Sequence, residues 1–236
     1  MISNPLETGE PFTALALNYY LPKFFDKLWA KAKVRICADG GANRVNKYFS
    51  DIKKANFQSP ELVIGDLDSI HQDVFEKFTK KGTEFLKVHE QEHNDIDKSF
   101  REIKRRNIKY PIVVFGGFGG RMDQTIASLD ASLRHPELRI FFVDDSNFST
   151  WFRPNDKGII TQKKFTTNVV GLLPVAGRVR NVKTKGLKWD CNFPLEMGKF
   201  ISSSNEIADS SNEVEINTTD PFLWTNQTKS LKKLII

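Results

Sequence analysis

Strand-like and helix-like segments alternate through the first 145 residues, and this alternation restricts the possible folds more than any other feature. Apolar helical spacing follows the first strand-like run, as with Phe25, Leu28 and Trp29. An alternation of this kind predicts a mainly parallel sheet with helices packed on its faces. The strand-like runs are 12–17, 34–38, 62–64, 84–88, 111–115 and 138–143.

The pattern changes after about residue 145. Short β-rich runs follow, separated by proline, glycine and Asn/Ser clusters, and helix-length periodicity is lost. This predicts a compact antiparallel β-sandwich. We therefore expect an α/β domain at 1–145 and a β-sandwich domain at 146–236. The β-rich runs are 148–152, 158–165, 168–173, 178–184, 187–191, 199–203, 213–216 and 231–236.

The net charge of +6 raises the possibility of a nucleic-acid partner. Lysine and arginine are spread along the chain, however, and the densest run, 104–106, is typical of a solvated helix end. The aromatic and basic patterning of a single-strand binder is missing. We expect no nucleic-acid partner.

Three features favour a cytoplasmic protein. The 236 residues contain no apolar run of 18 or more, which argues against a membrane-spanning helix. The N-terminus lacks the basic-then-apolar order of a signal peptide. Cys37 and Cys191 lie in apolar surroundings and are expected to be reduced.

Two carboxylates, Asp66 and Asp68, directly follow the buried run 62–64. In extended backbone this spacing puts both side chains on one face, roughly 6–7 Å apart at the backbone. Oxygen-only ligands suit Mg²⁺ held together with substrate phosphates. The alternative is a polar turn before the next helix, but the position at a strand end favours a metal site.

Glycine turns follow two other strands. The segment 39–44 (DGGANR) and the segment 116–124 (GGFGGRMDQ) each join a strand to a helix, an arrangement that presents backbone N–H groups to phosphate. Arg121 can form a forked contact with phosphate oxygens, and Asp123 adds a carboxylate. A plain tight turn at 39–44 and a glycine hinge at 116–120 are the alternatives.

Two further candidates occupy the start of the helix near residue 95. Asp95 lies in the first turn, and Lys98 is three residues later on the same face. They are either a local ion pair that stabilises the helix or a third metal carboxylate with a lysine for phosphate. All of these acids and glycine turns fall at the carboxyl ends of strands, where open α/β sheets bind ligands.

In the β-rich half, the segment 202–205 (SSSN) and Trp224 are polar and aromatic groups able to hold a small aromatic ligand. An ordinary polar loop and a core tryptophan explain them equally well.

Together these segments resemble the thiamin pyrophosphokinase family over nearly the whole chain. The matching segments are 37–44 (CADGGANR), 65–69 (GDLDS), 94–98 (NDIDK), 119–124 (GGRMDQ), 171–175 (GLLPV), 186–189 (GLKW), 202–205 (SSSN) and 221–225 (PFLWT).

The resemblance implies an α/β nucleotide domain joined to a β-sandwich, acting as a homodimer with thiamin bound between subunits. The reaction implied is transfer of the pyrophosphoryl group of ATP to the thiamin hydroxyl, giving AMP and thiamin diphosphate. Mg²⁺ would neutralise the polyphosphate, and one aspartate, Asp68 or Asp95, would accept the hydroxyl proton.

The site residues that the resemblance implies fall into three groups. The metal aspartates are Asp66, Asp68 and Asp95, with Lys98, Arg121 and Asp123 in the catalytic centre. ATP would contact Asp39, Gly40, Gly41, Asn43, Gly119, Gly120, Arg121 and Gln124. Thiamin would contact Gln91, Ser202, Asn205 and Trp224.

The chain departs from the family pattern at several positions. Glu90 and Glu92 stand where aspartates are expected, Asn94 where a threonine is common, and Gln124 where other members have histidine. No metal role is therefore assigned to Glu90 or Glu92, and Gln124 is not expected to be an acid–base group. The rival functions are a Mg²⁺-dependent nucleotidyltransferase or phosphohydrolase, and a non-catalytic nucleotide- or RNA-binding protein.

Overall fold

The chain folds into two compact units. A computed structural model describes residues 1–90 and 92–229. Residues Pro11–Asp144 form one unit, and Met1–Glu10 together with the chain from Asp145 onward form the other. We name these the α/β unit and the β unit. The expected boundary assigned the first ten residues to the α/β domain, whereas they group with the β unit, where they form β1 (Ile2–Ser3) and α1 (Pro5–Thr8).

The α/β unit alternates strands and helices as the sequence predicts. Its six strands are β2 (Thr13–Ala16), β3 (Val34–Ala38), β4 (Leu62–Gly65), β5 (Glu84–Lys87), β6 (Ile112–Phe115) and β7 (Ile140–Val143). Its helices are α2 (Phe25–Lys31), α3 (Gly41–Asp51), α4 (Gln72–Lys80), α5 (Asp95–Arg105) and α6 (Met122–Arg134).

All pairs among these six strands are parallel, in the order β7-β6-β2-β3-β4-β5. From β2 the chain moves outward to β3, β4 and β5, then returns to the other side of β2 to place β6 and β7. The direction of winding therefore reverses between β2 and β6. Such a switch point opens a crevice at the carboxyl ends of the strands, where ligands bind in folds of this type.

The sheet of the α/β unit is buried on both faces except at its edge strand, β5. Every residue of β2, β4, β6 and β7 is buried, which explains why these strands read as continuous apolar runs. Helix α2 contributes Phe25 and Trp29, both almost fully buried, to this core. The Trp29 indole N–H donates to the Gln58 carbonyl at 2.7 Å, so that its polar group is satisfied.

The β unit contains two sheets of mainly antiparallel strands. Its remaining strands are β8 (Asn147–Phe152), β9 (Gly158–Ile160), β10 (Thr166–Leu173), β11 (Val179–Lys185), β12 (Asn192–Leu195), β13 (Ser202–Glu206), β14 (Glu213–Thr218) and β15 (Phe222–Thr228). One sheet has the order β1-β9-β14-β11-β12, and the other includes β13-β10-β15-β8. Buried and exposed residues alternate along β14, as expected of a sandwich strand with one face in the core.

Several predicted strands of this half are displaced. The run 187–191 forms a turn and β12 follows it, because the Asp190 carboxylate accepts the Leu187 backbone N–H at 3.0 Å and closes the loop. Strand β13 begins three residues later than expected. Strand β15 was not predicted, and Trp224 lies within it. The run 231–236 lies outside the described residues.

Glu7 ties the first residues of the chain to the rest of the β unit. Its carboxylate is 5% exposed and accepts the backbone N–H groups of Gln162, Phe165 and Thr166 at 2.8, 3.0 and 3.1 Å. It also accepts the hydroxyls of Thr166 at 3.0 Å and Thr161 at 3.4 Å. A buried carboxylate with this many donors is stable without a cation.

None of the helices in residues 1–90 and 92–229 has the length and apolar character that crossing a bilayer requires.

Candidate functional site

A cavity of about 790 Å³ opens in the α/β unit where β2 and β6 end. This is the switch point of the sheet, the expected place for a ligand. Its lining contains seven of the predicted site residues: Asp66, Asp95, Lys98, Gly119, Gly120, Arg121 and Gln124. The sequence prediction that the strand-end motifs converge is therefore correct for these seven.

Asp66 and Asp68 do converge, but through a turn and not through extended backbone. Leu67 between them has φ +65°, in the left-handed region, and the Asp68 N–H donates back to Asp66 Oδ1 at 3.3 Å. The expectation of an extended Asp-Leu-Asp segment is therefore wrong. The turn folds the two carboxylates toward one space, which the sequence spacing alone does not require.

Asp39 completes a group of three carboxylates. One oxygen from each of Asp39, Asp66 and Asp68 lies within 4.8 Å of the others. Asp39 Oδ1 is buried and has no hydrogen-bond partner among the described residues. The position depends on Gly65, since a Cβ there would lie 2.7 Å from the Asp39 Cβ. Asp39 was predicted to contact ATP, and its place in the acidic group was not predicted.

Asp95 lies outside that closest group. Its carboxylate pairs with Lys98, Nζ to Oδ1 at 3.1 Å. Burial raises the pKa of Asp95, the Lys98 ammonium opposes the rise, and the charges of Asp39 and Asp66 add to it. The influence of those two acids means that Asp95 shares their electrostatic environment. Its role as a metal ligand remains a prediction.

Lys98 is a buried cation that faces the cavity. The residue is 7% exposed, and the contact with Asp95 engages only part of its donor capacity. An ammonium has three N–H donors, so Lys98 retains the capacity to bind an anion in the cavity. The neighbouring Asn94 caps α5 by accepting the Asp97 N–H at 3.0 Å, which fixes the turn that carries Asp95 and Lys98.

A charged cluster behind the cavity anchors the same helix turn. Asp97 is 1% exposed and contacts His135 Nε2 at 3.0 Å and Arg101 Nε at 2.8 Å. Its burial acts to raise the carboxyl pKa, but hydrogen bonds from His135 and Arg134 outweigh burial and lower it. Asp97 was not among the predicted site residues, and two of its partners, Arg134 and His135, are 37 and 38 residues away in the sequence.

The glycine turn after β3 has packing roles. A Cβ at Gly41 would lie 2.3 Å from the Ala16 carbonyl oxygen, and one at Gly40 would lie 2.3 Å from Asn18 Nδ2. Asn43 donates to the Ser69 carbonyl at 2.7 Å and accepts the His71 N–H at 3.1 Å, so it braces the loop after Asp68. Gly40, Gly41 and Asn43 are not among the described residues that line the cavity, and their contact with ATP remains a prediction.

The loop after β2 contributes two lining residues that sequence analysis missed, Asn18 and Tyr19. Asn18 Oδ1 accepts from Arg44 Nε at 2.9 Å. Both residues directly follow the apolar run 12–17, so the rule that ligands bind at strand ends could have identified them.

Arg121 reaches the cavity from the exposed start of α6. Its side chain is 74% exposed and forms a fork with Asp123, with Nε–Oδ1 at 3.1 Å and Nη2–Oδ2 at 2.5 Å. This contact raises the pKa of Arg121 and lowers that of Asp123. Asp123 therefore acts here as the partner of Arg121, and its catalytic role remains a prediction.

The predicted thiamin residues of the β unit are buried within that unit. Asn205 donates to the Trp189 carbonyl at 2.8 Å and to Ser202 Oγ at 3.2 Å. Trp224 has no exposed surface, and its indole N–H donates to Asn226 Oδ1 at 2.5 Å. Trp224 therefore presents no ring face to a ligand in this structure, because it belongs to the core of the sandwich.

Trp189 is the exposed aromatic ring next to these residues. It is 54% exposed, and the Lys188 ammonium lies 4.6 Å from its ring centroid. The Asn205 side chain fixes its backbone through both N–H and carbonyl. Trp224, and not Trp189, was the predicted thiamin-contacting tryptophan, although Trp189 lies in one of the motifs of the family resemblance. Gln91, the remaining thiamin prediction, lies outside the described residues.

Comparisons with known proteins agree over most of the chain. A family model described as thiamin pyrophosphokinase, catalytic domain, matches residues 25–142, and one described as thiamin pyrophosphokinase, vitamin B1 binding domain, matches residues 157–223. Thiamine pyrophosphokinase 1 of Arabidopsis thaliana is 30% identical over 233 residues, covering 92% of this chain and 86% of that protein.

Solved structures share the fold. Thiamin pyrophosphokinase from Candida albicans superposes with a TM-score of 0.84 at 24% identity, covering 97% of this chain and 92% of that one. The yeast thiamin pyrophosphokinase structure gives a TM-score of 0.82 at 24% identity, covering 95% and 88%. With both family models matched in order and the sequence similarity extending over nearly its full length, the chain belongs to the thiamin pyrophosphokinase family.

Proposed function

We propose that this protein transfers the pyrophosphoryl group of ATP to the hydroxyl of thiamin, giving AMP and thiamin diphosphate. The observation that carries the proposal is a group of three strand-end carboxylates, one of which, Asp66, lines the switch-point cavity together with Asp95 and the buried Lys98. Such a set serves a polyphosphate together with its cation. Family membership supplies thiamin as the acceptor.

The acidic group fits Mg²⁺. Its donors are carboxylate oxygens, and the buried Oδ1 of Asp39 lacks a protein partner. We assign Mg²⁺ binding to Asp39, Asp66 and Asp68, with Asp95 as the further candidate from sequence. When bound, the ion would neutralise polyphosphate charge and hold its oxygens for in-line attack.

The remaining charged groups have separate tasks in this proposal. Lys98 donates to the transferred or leaving phosphate oxygens from a buried position in the cavity lining, where a fixed charge is effective. Arg121 releases its forked contact with Asp123 and forms one with phosphate oxygens instead. Asp95 accepts the proton of the thiamin hydroxyl, since a carboxyl whose pKa is raised by burial is a better base near neutral pH.

In our proposal, the β unit supplies residues that contact thiamin. Ser202 and Asn205 hold the loop that carries Trp189, whose exposed ring offers a stacking surface to an aromatic ligand. In line with the family resemblance, we propose a homodimer in which thiamin contacts the α/β unit of one subunit and the β unit of its partner. The two buried, unpaired cysteines support a cytoplasmic location.

Product analysis tests the reaction class. The protein is incubated with ATP and Mg²⁺, with and without thiamin, and nucleotides and thiamin esters are separated. AMP formed only with thiamin, in equal amount to thiamin diphosphate, is the expected result. Free phosphate or ADP formed without thiamin would instead indicate a phosphohydrolase.

A further inference from the structure

The ring of Tyr19 lies directly on the glycine loop after β6. A Cβ at Gly119 would lie 2.9 Å from Tyr19 Cε1, and one at Gly120 would lie 2.5 Å from Tyr19 Cε2. Both glycines have φ in the left-handed region, +91° and +65°. A side chain at either position is therefore excluded twice, by the backbone and by the tyrosine ring.

Tyr19 is partly exposed at the cavity. The residue is 38% exposed and lines the cavity, and its hydroxyl makes no hydrogen bond to the described residues. The other aromatic ring in the described lining belongs to His93, which already contacts Glu90 and Asp97 at 3.2 and 3.3 Å. Tyr19 is thus the ring available for a flat ligand.

We propose that Tyr19 is the base-stacking residue of the nucleotide site, with the glycine loop as the backing that holds its ring. The inference rests on the proposed use of ATP. The loop that supports the ring continues into Arg121 at the start of α6, so the Tyr19 ring and the arginine proposed to bind phosphate line the same cavity. Any base can stack on the face of the ring, and this stacking does not need the tyrosine hydroxyl.

Stacking is separable from phosphate binding because inorganic tripolyphosphate carries the phosphates without a base. Equilibrium binding of Mg²⁺-ATP and Mg²⁺-tripolyphosphate is measured by calorimetry on the full chain and on Tyr19→Leu, which keeps apolar bulk on the glycines but removes the ring. Tyr19→Phe keeps the ring, and Tyr20→Ala changes the neighbouring exposed tyrosine, which is not among the described lining residues.

We expect Tyr19→Leu to weaken ATP binding about tenfold or more and to change tripolyphosphate binding less than about twofold. Tyr19→Phe and Tyr20→Ala should bind both ligands as the unaltered protein does. The proposal is overturned if Tyr19→Leu weakens both ligands equally or if it weakens neither. If the unaltered protein binds neither phosphate ligand, the use of ATP is wrong as well.

Discussion

Two sets of buried polar groups, one in each unit, differ in how completely the protein satisfies them. In the α/β unit, Asp39 keeps a buried oxygen without a protein partner, and Lys98 keeps spare donors toward the cavity. In the β unit, Glu7 accepts five hydrogen bonds and the Asn205 amide is fully engaged. Buried polar groups normally find partners within the protein. The incomplete set therefore indicates where ligands act, and the complete set indicates where the chain is held together.

The largest effect on activity should come from the acidic group. Asp66→Asn keeps the side-chain volume and removes one charge, so we expect turnover to fall about a thousandfold. This fall corresponds to several kcal/mol of lost transition-state stabilisation, as expected when a metal ligand is lost. The thermal midpoint should stay the same or rise, because repulsion among three close carboxylates is relieved.

Asp73→Asn is the matched control, since Asp73 is an exposed aspartate in the first turn of α4. Rates are measured over a range of Mg²⁺ concentrations, and the same series is run on Asp39→Asn and Asp95→Asn. A ligand variant should lose rate most at limiting Mg²⁺. Near-normal turnover of Asp39→Asn at limiting Mg²⁺ would remove Asp39 from the metal site.

The second effect concerns stability and belongs to the β unit. Glu7→Gln replaces one carboxylate oxygen with an NH₂ group, which cannot accept hydrogen bonds from the buried donors around it. The free energy of unfolding should therefore fall by about 2–4 kcal/mol. Glu213→Gln, at an exposed position of β14, is the control and should change it little. Denaturant unfolding followed by tryptophan fluorescence measures both. Equal stability of the two variants would contradict the anchoring role of Glu7.

A smaller effect compares two arginine–aspartate pairs, one in each unit. Arg121 pairs with Asp123 beside the cavity, and Arg180 pairs with Asp220 on the β unit. Arg121→Lys keeps the charge and loses the fork, so we expect kcat to fall about tenfold. Arg180→Lys should leave kcat unchanged. An unchanged rate for Arg121→Lys would show that this fork is a surface contact without a role in the reaction.

The smallest effect tests whether the two units cooperate between subunits. Asp68→Asn damages the α/β unit, and Ser202→Ala with Asn205→Ala damages the β unit. Mixed dimers would contain one doubly damaged site and one intact site, so co-refolding equal amounts should restore about a quarter of normal activity. If mixed dimers form but remain inactive, each site belongs to a single chain.

Much of the α/β unit could be predicted from sequence because each buried parallel strand is a continuous apolar run that ends in a polar or glycine motif. The turn at Leu67 and the place of Asp39 could not, since they depend on Gly65 and on contact between neighbouring strands. The β unit was harder. Strand β15 follows a proline and has a polar second half, and Trp224 and Trp189 differ in exposure for reasons that only the packed sheets reveal.

The central claim is that both distal phosphates of ATP move together to thiamin at the cavity of the α/β unit. ATP labelled at the α, β or γ phosphorus is reacted with thiamin in separate experiments, and the labelled products are identified. The account predicts that β and γ labels both appear in thiamin diphosphate and that the α label stays in AMP. Recovery of the β label in ADP, with the γ label in thiamin monophosphate or free phosphate, would contradict it.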